Sequence, residues 1–247
     1  MPSTDLTYDK RMTQFDIELG AWSLWGTRES AAALAVLDFD WIGLDAQHGR
    51  FDDARVIDAI SGIRSVRADA TVWVRVRSNN DGLIGRALDA GANGVIVPMV
   101  DDAAQAASAV AASRYAPHGR RSLGPSLQGG GYTQSVGDTA CAVMVETATG
   151  LANCEAIAQT PGLQMIFVGP WDLALALGLS LDELLALEGD ESPLVRIAAA
   201  CASAGIRAGA YAGTPERGRV LLALGFEVVA IATEDSLFAA GAASVLS

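Results

Sequence analysis

The feature that most constrains this chain is an alternation. Eight short β-rich runs recur along its 247 residues, at 16–22, 39–45, 72–76, 94–99, 141–146, 164–169, 207–212 and 226–232. Stretches with helical spacing lie between most of them, at 54–66, 83–90, 103–113, 150–159, 192–204 and 215–224. Several of the short runs are apolar almost throughout. A strand reads that way when both of its faces are covered, as in a parallel sheet under crossover helices. Eight such units in a chain close to ~250 residues predict an α/β fold of the (βα)8 TIM-barrel type, one domain over residues 1–247. A doubly wound open sheet is the runner-up, and no G-x-G-x-x-G follows the first run to support it.

A weak internal repeat agrees with the barrel. Residues 33–42, 87–96 and 221–229 each read as a helix end, a short turn and a strand. Gly91 and Gly225 stand where a helix C-cap is expected, because glycine reaches positive φ at little cost. Two stretches fall outside the repeat. Residues 120–132, with Gly-Gly-Gly at 129–131, read as a loop long enough to be functional. Residues 179–190 form an acidic insertion.

Composition removes several function classes. The formal net charge is −12, which disfavours a nucleic-acid partner. No run of ~18 apolar residues is present, so no membrane partner is expected. The opening residues lack the apolar core of a signal peptide, and the expected address is the cytoplasm. Lys10 is the only lysine and precedes the first run, leaving no obvious amine for a Schiff base. His48 and His118 are the only histidines, too few for a zinc site of several imidazoles. Cys141, Cys154 and Cys201 form no C-x-x-C pair and read as small buried hydrophobes in a reducing compartment. Metal chemistry in this chain would rest mainly on carboxylates and water.

Active-site groups of such barrels gather where the strands end. The first run ends at Trp22 and the second at Asp45, with His48 three residues on. The third carries Arg75, the fifth ends at Glu146, and the sixth is followed by Pro170-Trp171-Asp172. Strand alternation puts Ala142, Met144 and Glu146 on one face, where a carboxylate is costly without a cation or donors. Glu146 is therefore a metal ligand or the partner of an ion pair with Arg75. Asp172 caps the following helix or joins Glu146 in a hard oxygen site for Mg²⁺ or Mn²⁺. Arg75 offers planar donors to a carboxylate or an enolate oxygen, whereas Arg77 reads as an exposed rim charge. Asp45 is spaced to orient the His48 ring, and histidine suits proton transfer near neutral pH. The plainer reading of His48 is a loop residue bonded to backbone, and His118 reads as exposed loop. The acidic Thr233-Glu234-Asp235 after the eighth run lacks the glycines of a phosphate site.

These landmarks, with Gly20-Ala21-Trp22, Val97-Pro98-Met99-Val100, Arg114-Tyr115-Ala116-Pro117-His118-Gly119-Arg120-Arg121 and Gly169-Pro170-Trp171-Asp172, stand in an order that resembles a known family. It is that of the metal-dependent (class II) pyruvate aldolases of the 4-hydroxy-2-oxoheptanedioate aldolase type, over nearly the whole chain. The resemblance implies reversible aldol cleavage of 4-hydroxy-2-oxo acids to pyruvate, or a 2-oxo acid such as hydroxypyruvate, plus an aldehyde. Glu146 and Asp172 match the ligands of a divalent ion (Mg²⁺, Mn²⁺ or Co²⁺), and Arg75 matches the arginine that stabilises the enolate. His48 matches the histidine of proton transfer and Asp45 its support. Asp89 resembles an aspartate reaching that histidine from a neighbouring subunit. Trp22 would line the pocket, and the amides around Trp171 and Asp172 would hold the substrate carboxylate. The resemblance also implies a homohexamer, a trimer of dimers that exchange their last helix.

The chain departs from the family pattern at Gln47, often Glu; at Met144, often Gln; and at Trp171, commonly Ala. Two other classes carry the same residues: a carbon–carbon lyase acting on acyl-CoA thioesters, and a non-enzymatic sensor barrel. The first needs a nucleotide-binding surface, for which there is no basic cluster.

Overall fold

The computed structural model describes residues 16–128, 139–189 and 192–247. Lys10 and the glycine triplet at 129–131 lie outside them. Eight parallel strands run in chain order: β1 (Glu18–Ser23), β2 (Trp41–Asp45), β3 (Thr71–Arg75), β4 (Gly94–Val97), β5 (Ala140–Val145), β6 (Met165–Val168), β7 (Arg207–Tyr211) and β8 (Val228–Thr233). β8 pairs back onto β1, Gly20 opposite Ala230, and the sheet closes. The TIM barrel expected from the alternation is the fold, and the open sheet is excluded.

Helices return the chain after each strand. α1 (Arg28–Val36), α2 (Asp53–Val66), α3 (Asp81–Asp89) and α4 (Ala103–Ser113) follow the first four strands, and α5 (Ala148–Ala152) and α6 (Cys154–Ala158) follow β5. After β6 come α7 (Pro170–Ala176), α8 (Leu181–Ala186) and α9 (Pro193–Ala204). α10 (Pro215–Ala223) follows β7, and α11 (Glu234–Leu246) follows β8. Thr27, Asp52, Asn80, Asp102 and Thr147 cap the helices after the first five strands, accepting from amides of the first turn.

The sequence and the fold differ at a few places, each with a local cause. The helix expected over 150–159 is two short helices broken at Asn153, whose side chain donates to the Asp101 carbonyl at 2.8 Å. The acidic insertion holds α8, opened by a capping box of Ser180 and Glu183. Gly91 and Gly225 both take φ +97° just after α3 and α10, as the repeat implies. The fourth strand stops at Val97 rather than Met99, because Met99 turns into the left-handed region at φ +56°.

Two cores hold the barrel. Aliphatic side chains of strands and helices fill the layer between them, while Trp22, Trp41, Ile96, Met144, Met165 and Phe167 fill the barrel itself. The bulky rings fit inside because the neighbouring strand offers a glycine in register. Trp41 lies opposite Gly20, Trp22 opposite Gly43, Trp73 opposite Gly94, and Phe167 opposite Gly209. A Cβ on Gly43 would lie 2.6 Å from the Trp22 ring, and one on Gly209 would lie 2.7 Å from Phe167. The free cysteines are buried as expected, with burial raising Cys141 and Cys201 to about 12 and Cys154 to about 11. Among the described residues, no helix is long and apolar enough to cross a membrane.

Candidate active site

The C-terminal ends of β1, β2, β3, β6 and β7 surround a pocket of about 620 Å³, partly open to solvent. Asp45, the last residue of β2, is fully buried on one side of it. Register sets it directly opposite Arg75, the last residue of β3. The two meet in a fork, Arg75 Nε donating to Oδ1 at 2.9 Å and Nη2 to Oδ2 at 2.5 Å. Oδ2 also accepts from the Trp22 indole at 3.2 Å, and Oδ1 from the backbone amides of Gln47 and His48 at 3.0 and 3.1 Å. Burial pushes the Asp45 carboxyl up, but the Arg75 hydrogen bond and charge, with the other donors, hold it below the usual carboxylate value.

This network decides two open readings. Arg75 pairs with Asp45, not with Glu146. A guanidinium has five N–H donors, and the fork uses two, so three remain for a ligand. The group also lies 5.3 Å from the centre of the Trp22 ring, which fixes its plane. Asp45 bonds the backbone amide of His48 rather than its ring, so it positions the loop and leaves the imidazole exposed at the pocket mouth.

Glu146 follows β5 and is buried, 2% exposed. Oε1 accepts from the Met99 amide at 2.8 Å, which is what the left-handed turn at Met99 achieves. Such a conformation is costly for a side chain that bears a Cβ, and it is retained where the surroundings enforce it. Oε2 is buried without a hydrogen-bond partner among the described residues. Burial raises the Glu146 carboxyl, and the nearby Asp172 charge raises it further. Asp172 stands in the first turn of α7 and lines the pocket, but it is not the cap; Gly169 is. A Cβ at Gly169 would sit 2.6 Å from Glu146 Oε2, so glycine leaves the space beside that oxygen open. Two neighbouring carboxylates, one with a buried oxygen lacking a donor, suit a divalent cation that completes its shell with water and substrate oxygens. Among the described residues, no group of three or more His, Cys, Asp or Glu could hold a metal ion. The donor set is thus limited to these two.

Trp171 closes one wall, 40% exposed, its ring centroid 5.2 Å from that of Tyr211. Tyr211 and Phe167 line the pocket, and neither was among the candidate site residues of the sequence. Asp89 is not brought to this pocket. It ends α3, which runs back to the opposite end of the barrel, and it pairs with Arg121 at 2.7 Å. Arg77 turns back onto the carbonyls of Ala46 and Phe51. Glu234 is buried and accepts from Ser23 Oγ at 2.5 Å and the Leu24 amide at 2.9 Å, so it ties down the turn that carries Trp22 and Leu24.

Comparison with known proteins fits this geometry. Residues 19–240 match the family described as HpcH/HpaI aldolase/citrate lyase. The chain belongs to this family. A hydroxypyruvate/pyruvate aldolase of Rhizorhabdus wittichii is 36% identical over 224 residues, 88% of each chain. A 2-dehydro-3,6-dideoxy-6-sulfogluconate aldolase of Pseudomonas putida is 32% identical over 92% of this chain and 91% of its own. A crystal structure of a family protein from Burkholderia cenocepacia superimposes with a TM-score of 0.85 at 28% identity, over 94% of this chain and 93% of that one.

As an HpcH/HpaI protein the chain is an enzyme, a lyase. Met144 is 1% exposed and lines the pocket floor, and its methyl lies against the space beside Gly169. Gln47 leaves its Oε1 buried without a partner among the described residues. Trp171 gives the wall an aromatic face.

Proposed function

We propose that this protein catalyses the reversible aldol cleavage of 4-hydroxy-2-oxo acids to pyruvate, or a close 2-oxo acid such as hydroxypyruvate, and an aldehyde. The observation that carries the reading is the unpartnered buried oxygen of Glu146, which lies beside Gly169 and within the field of Asp172 and Arg75, all three of them lining the pocket. The names of two relatives, a hydroxypyruvate/pyruvate aldolase and a sulfogluconate aldolase, support the reaction class. Glu146 and Asp172 would hold a divalent cation, Mg²⁺, Mn²⁺ or Co²⁺. When bound, such an ion acts as a Lewis acid on a 2-oxo acid and makes the C3 proton easier to remove.

The remaining roles fall to this chain's own groups. Arg75, held flat by Asp45 and Trp22, directs its free N–H groups at the substrate's keto oxygen and stabilises the negative charge that develops there. Because Asp45 fixes it before substrate arrives, little reorganisation accompanies the reaction. Water or His48, exposed at the mouth, accepts the C3 proton, and His48 moves the proton on the hydroxyl formed from the aldehyde. The amides of Trp171 and Asp172, in a first helical turn with no side-chain cap, receive the substrate carboxylate. Trp22 and Phe167 keep water from the enolate. We assign residues 1–247 to one barrel domain and Asp89 to the site of a neighbouring subunit. The homohexamer implied by the resemblance is supported by the apolar residues that α11 leaves exposed, Phe238, Val245 and Leu246.

The test is deuterium exchange into the methyl group of pyruvate, followed by NMR with and without EDTA. It needs no aldehyde. Exchange that depends on added metal and is lost in Glu146→Gln is the expected result. Metal-independent exchange, or full exchange in the variant, would overturn the assignment of Glu146.

A further inference from the structure

We infer that Asp101 is a positioning residue for Glu146: through Thr147 it keeps the Met99 amide on the Glu146 carboxylate, and so sets how firmly that carboxylate binds a divalent ion. The inference rests on the reading of Glu146 as a metal ligand and deepens it. Glu146 is the first residue beyond β5. Among the described residues its carboxylate has one hydrogen bond, from the Met99 amide to Oε1 at 2.8 Å, and that donor sits in the turn between β4 and α4. The turn does not hold the donor there by itself. Met99 keeps φ +56°, a costly conformation for a residue with a Cβ, and it is 53% exposed, so little packing offsets that cost. The support comes from the residues that follow.

Those residues are laced to the β5 side of the site. The Val100 amide donates to the Met144 carbonyl at 3.1 Å. The Thr147 hydroxyl donates to Asp101 Oδ1. Asn153, between α5 and α6, donates to the Asp101 carbonyl at 2.8 Å, and the Asp101 amide donates to Gln105 Oε1 at 3.0 Å. Thr147 follows Glu146 directly, and its hydroxyl accepts from the Gly150 amide at 2.9 Å. A hydroxyl has one proton to give, and here it goes to a carboxylate, which makes the stronger, charge-assisted kind of bond. A Cβ at Gly150 would lie 2.8 Å from the Val100 carbonyl, so glycine lets α5 rest directly on the turn. Of these links, the one between Asp101 and Thr147 joins two side chains. It ties the residue after Val100 to the residue after Glu146, and thereby fixes both ends of the Met99–Glu146 bond. Neither Asp101 nor Thr147 lines the pocket, so both act through Glu146 and not on the substrate.

The experiment reads both ends of this chain of contacts. In the metal-free protein, hydrogen exchange followed by mass spectrometry reports on the Met99 amide. With Mn²⁺ added, electron paramagnetic resonance counts the free ion and gives its Kd. Asp101→Ala is expected to speed exchange at Met99 and to weaken Mn²⁺ binding by about ten- to hundredfold, the range for groups that orient a metal ligand. Asp101→Asn keeps an acceptor for Thr147 and should restore most of the affinity. Thr147→Val should behave as Asp101→Ala does, and Thr147→Ser as the wild type does. A merely structural role would lower the Tm of Asp101→Ala and leave its Kd unmoved. An unmoved Kd in folded Asp101→Ala, or an equal loss in Asp101→Ala and Asp101→Asn, would overturn the inference. If Asp101→Ala does not fold, the two Thr147 variants decide in the same way. Glu146→Gln, measured alongside, separates the two levels. Mn²⁺ binding that is lost in Glu146→Gln but kept in Asp101→Ala refutes the role of Asp101 alone. Mn²⁺ binding that is kept in Glu146→Gln refutes the metal reading of Glu146 and this inference with it.

Discussion

At the scale of single residues the site is built on one buried ion pair. Asp45 accepts from Arg75, the Trp22 indole and two backbone amides, so removing its charge strands a guanidinium that is only 8% exposed. Asp45→Asn is expected to destabilise the fold by about 3–5 kcal/mol, the usual cost of breaking a buried pair from one side. The folded carboxyl lies below its ordinary value. Its stabilisation is therefore complete above the unfolded value and is lost as pH falls through the folded one. Urea unfolding of wild type and variant across that range checks this, since the gap between them should be widest near neutrality and close in acid. A gap that stays constant into acid would refute the linkage. Most of the residues in this network were legible in the sequence, because charged groups at the ends of apolar strands stand out. Outside it, Tyr211 and the role of Met99 were not. Met99 acts through its backbone amide, and Tyr211 has the pattern of any strand aromatic.

At the scale of elements the barrel was legible and its filling was not. All eight strands appear as β-rich runs, several of them apolar almost throughout because both faces are covered, and the helices between most of them carry ordinary spacing. The break at Asn153 depends on a bond to the distant Asp101 carbonyl, which no local pattern shows. The pairing of rings with glycines depends on register between strands, and register is invisible until the sheet closes. That pairing makes a specific prediction. Gly43→Ala adds one methyl against the Trp22 ring, with Trp41 also close, in an interior with no slack. The expected cost is about 1–3 kcal/mol. Because Trp22 supports Asp45 and packs under Arg75, kcat should fall with stability. Denaturation and steady-state kinetics on the same variant check this. A destabilised enzyme with wild-type kcat would show that Trp22 does not transmit the strain.

At the scale of the whole molecule the question is where Asp89 acts. Within one chain it lies at the end of the barrel away from the pocket, paired with Arg121 and 19% exposed at its side chain. A role in the chemistry therefore requires another subunit, and closed symmetry would repeat the contact at every site. α11 supplies a reason to associate, since Phe238, Val245 and Leu246 are at least 66% exposed and form a contiguous apolar face with Leu237 and Gly241. The prediction is complementation. Asp89→Asn and His48→Ala should each lose most aldol cleavage when assembled alone. After mixing, partial unfolding and reassembly, a subunit of the first variant still has His48 and can meet a subunit of the second, which still has Asp89. That contact rebuilds one intact site. Recovered cleavage in the mixture, absent from either parent, is the expected outcome. If reassembled mixtures of confirmed hybrid composition recover nothing, Asp89 acts only through its pair with Arg121. Its loss should then appear as reduced stability instead of reduced turnover per folded site.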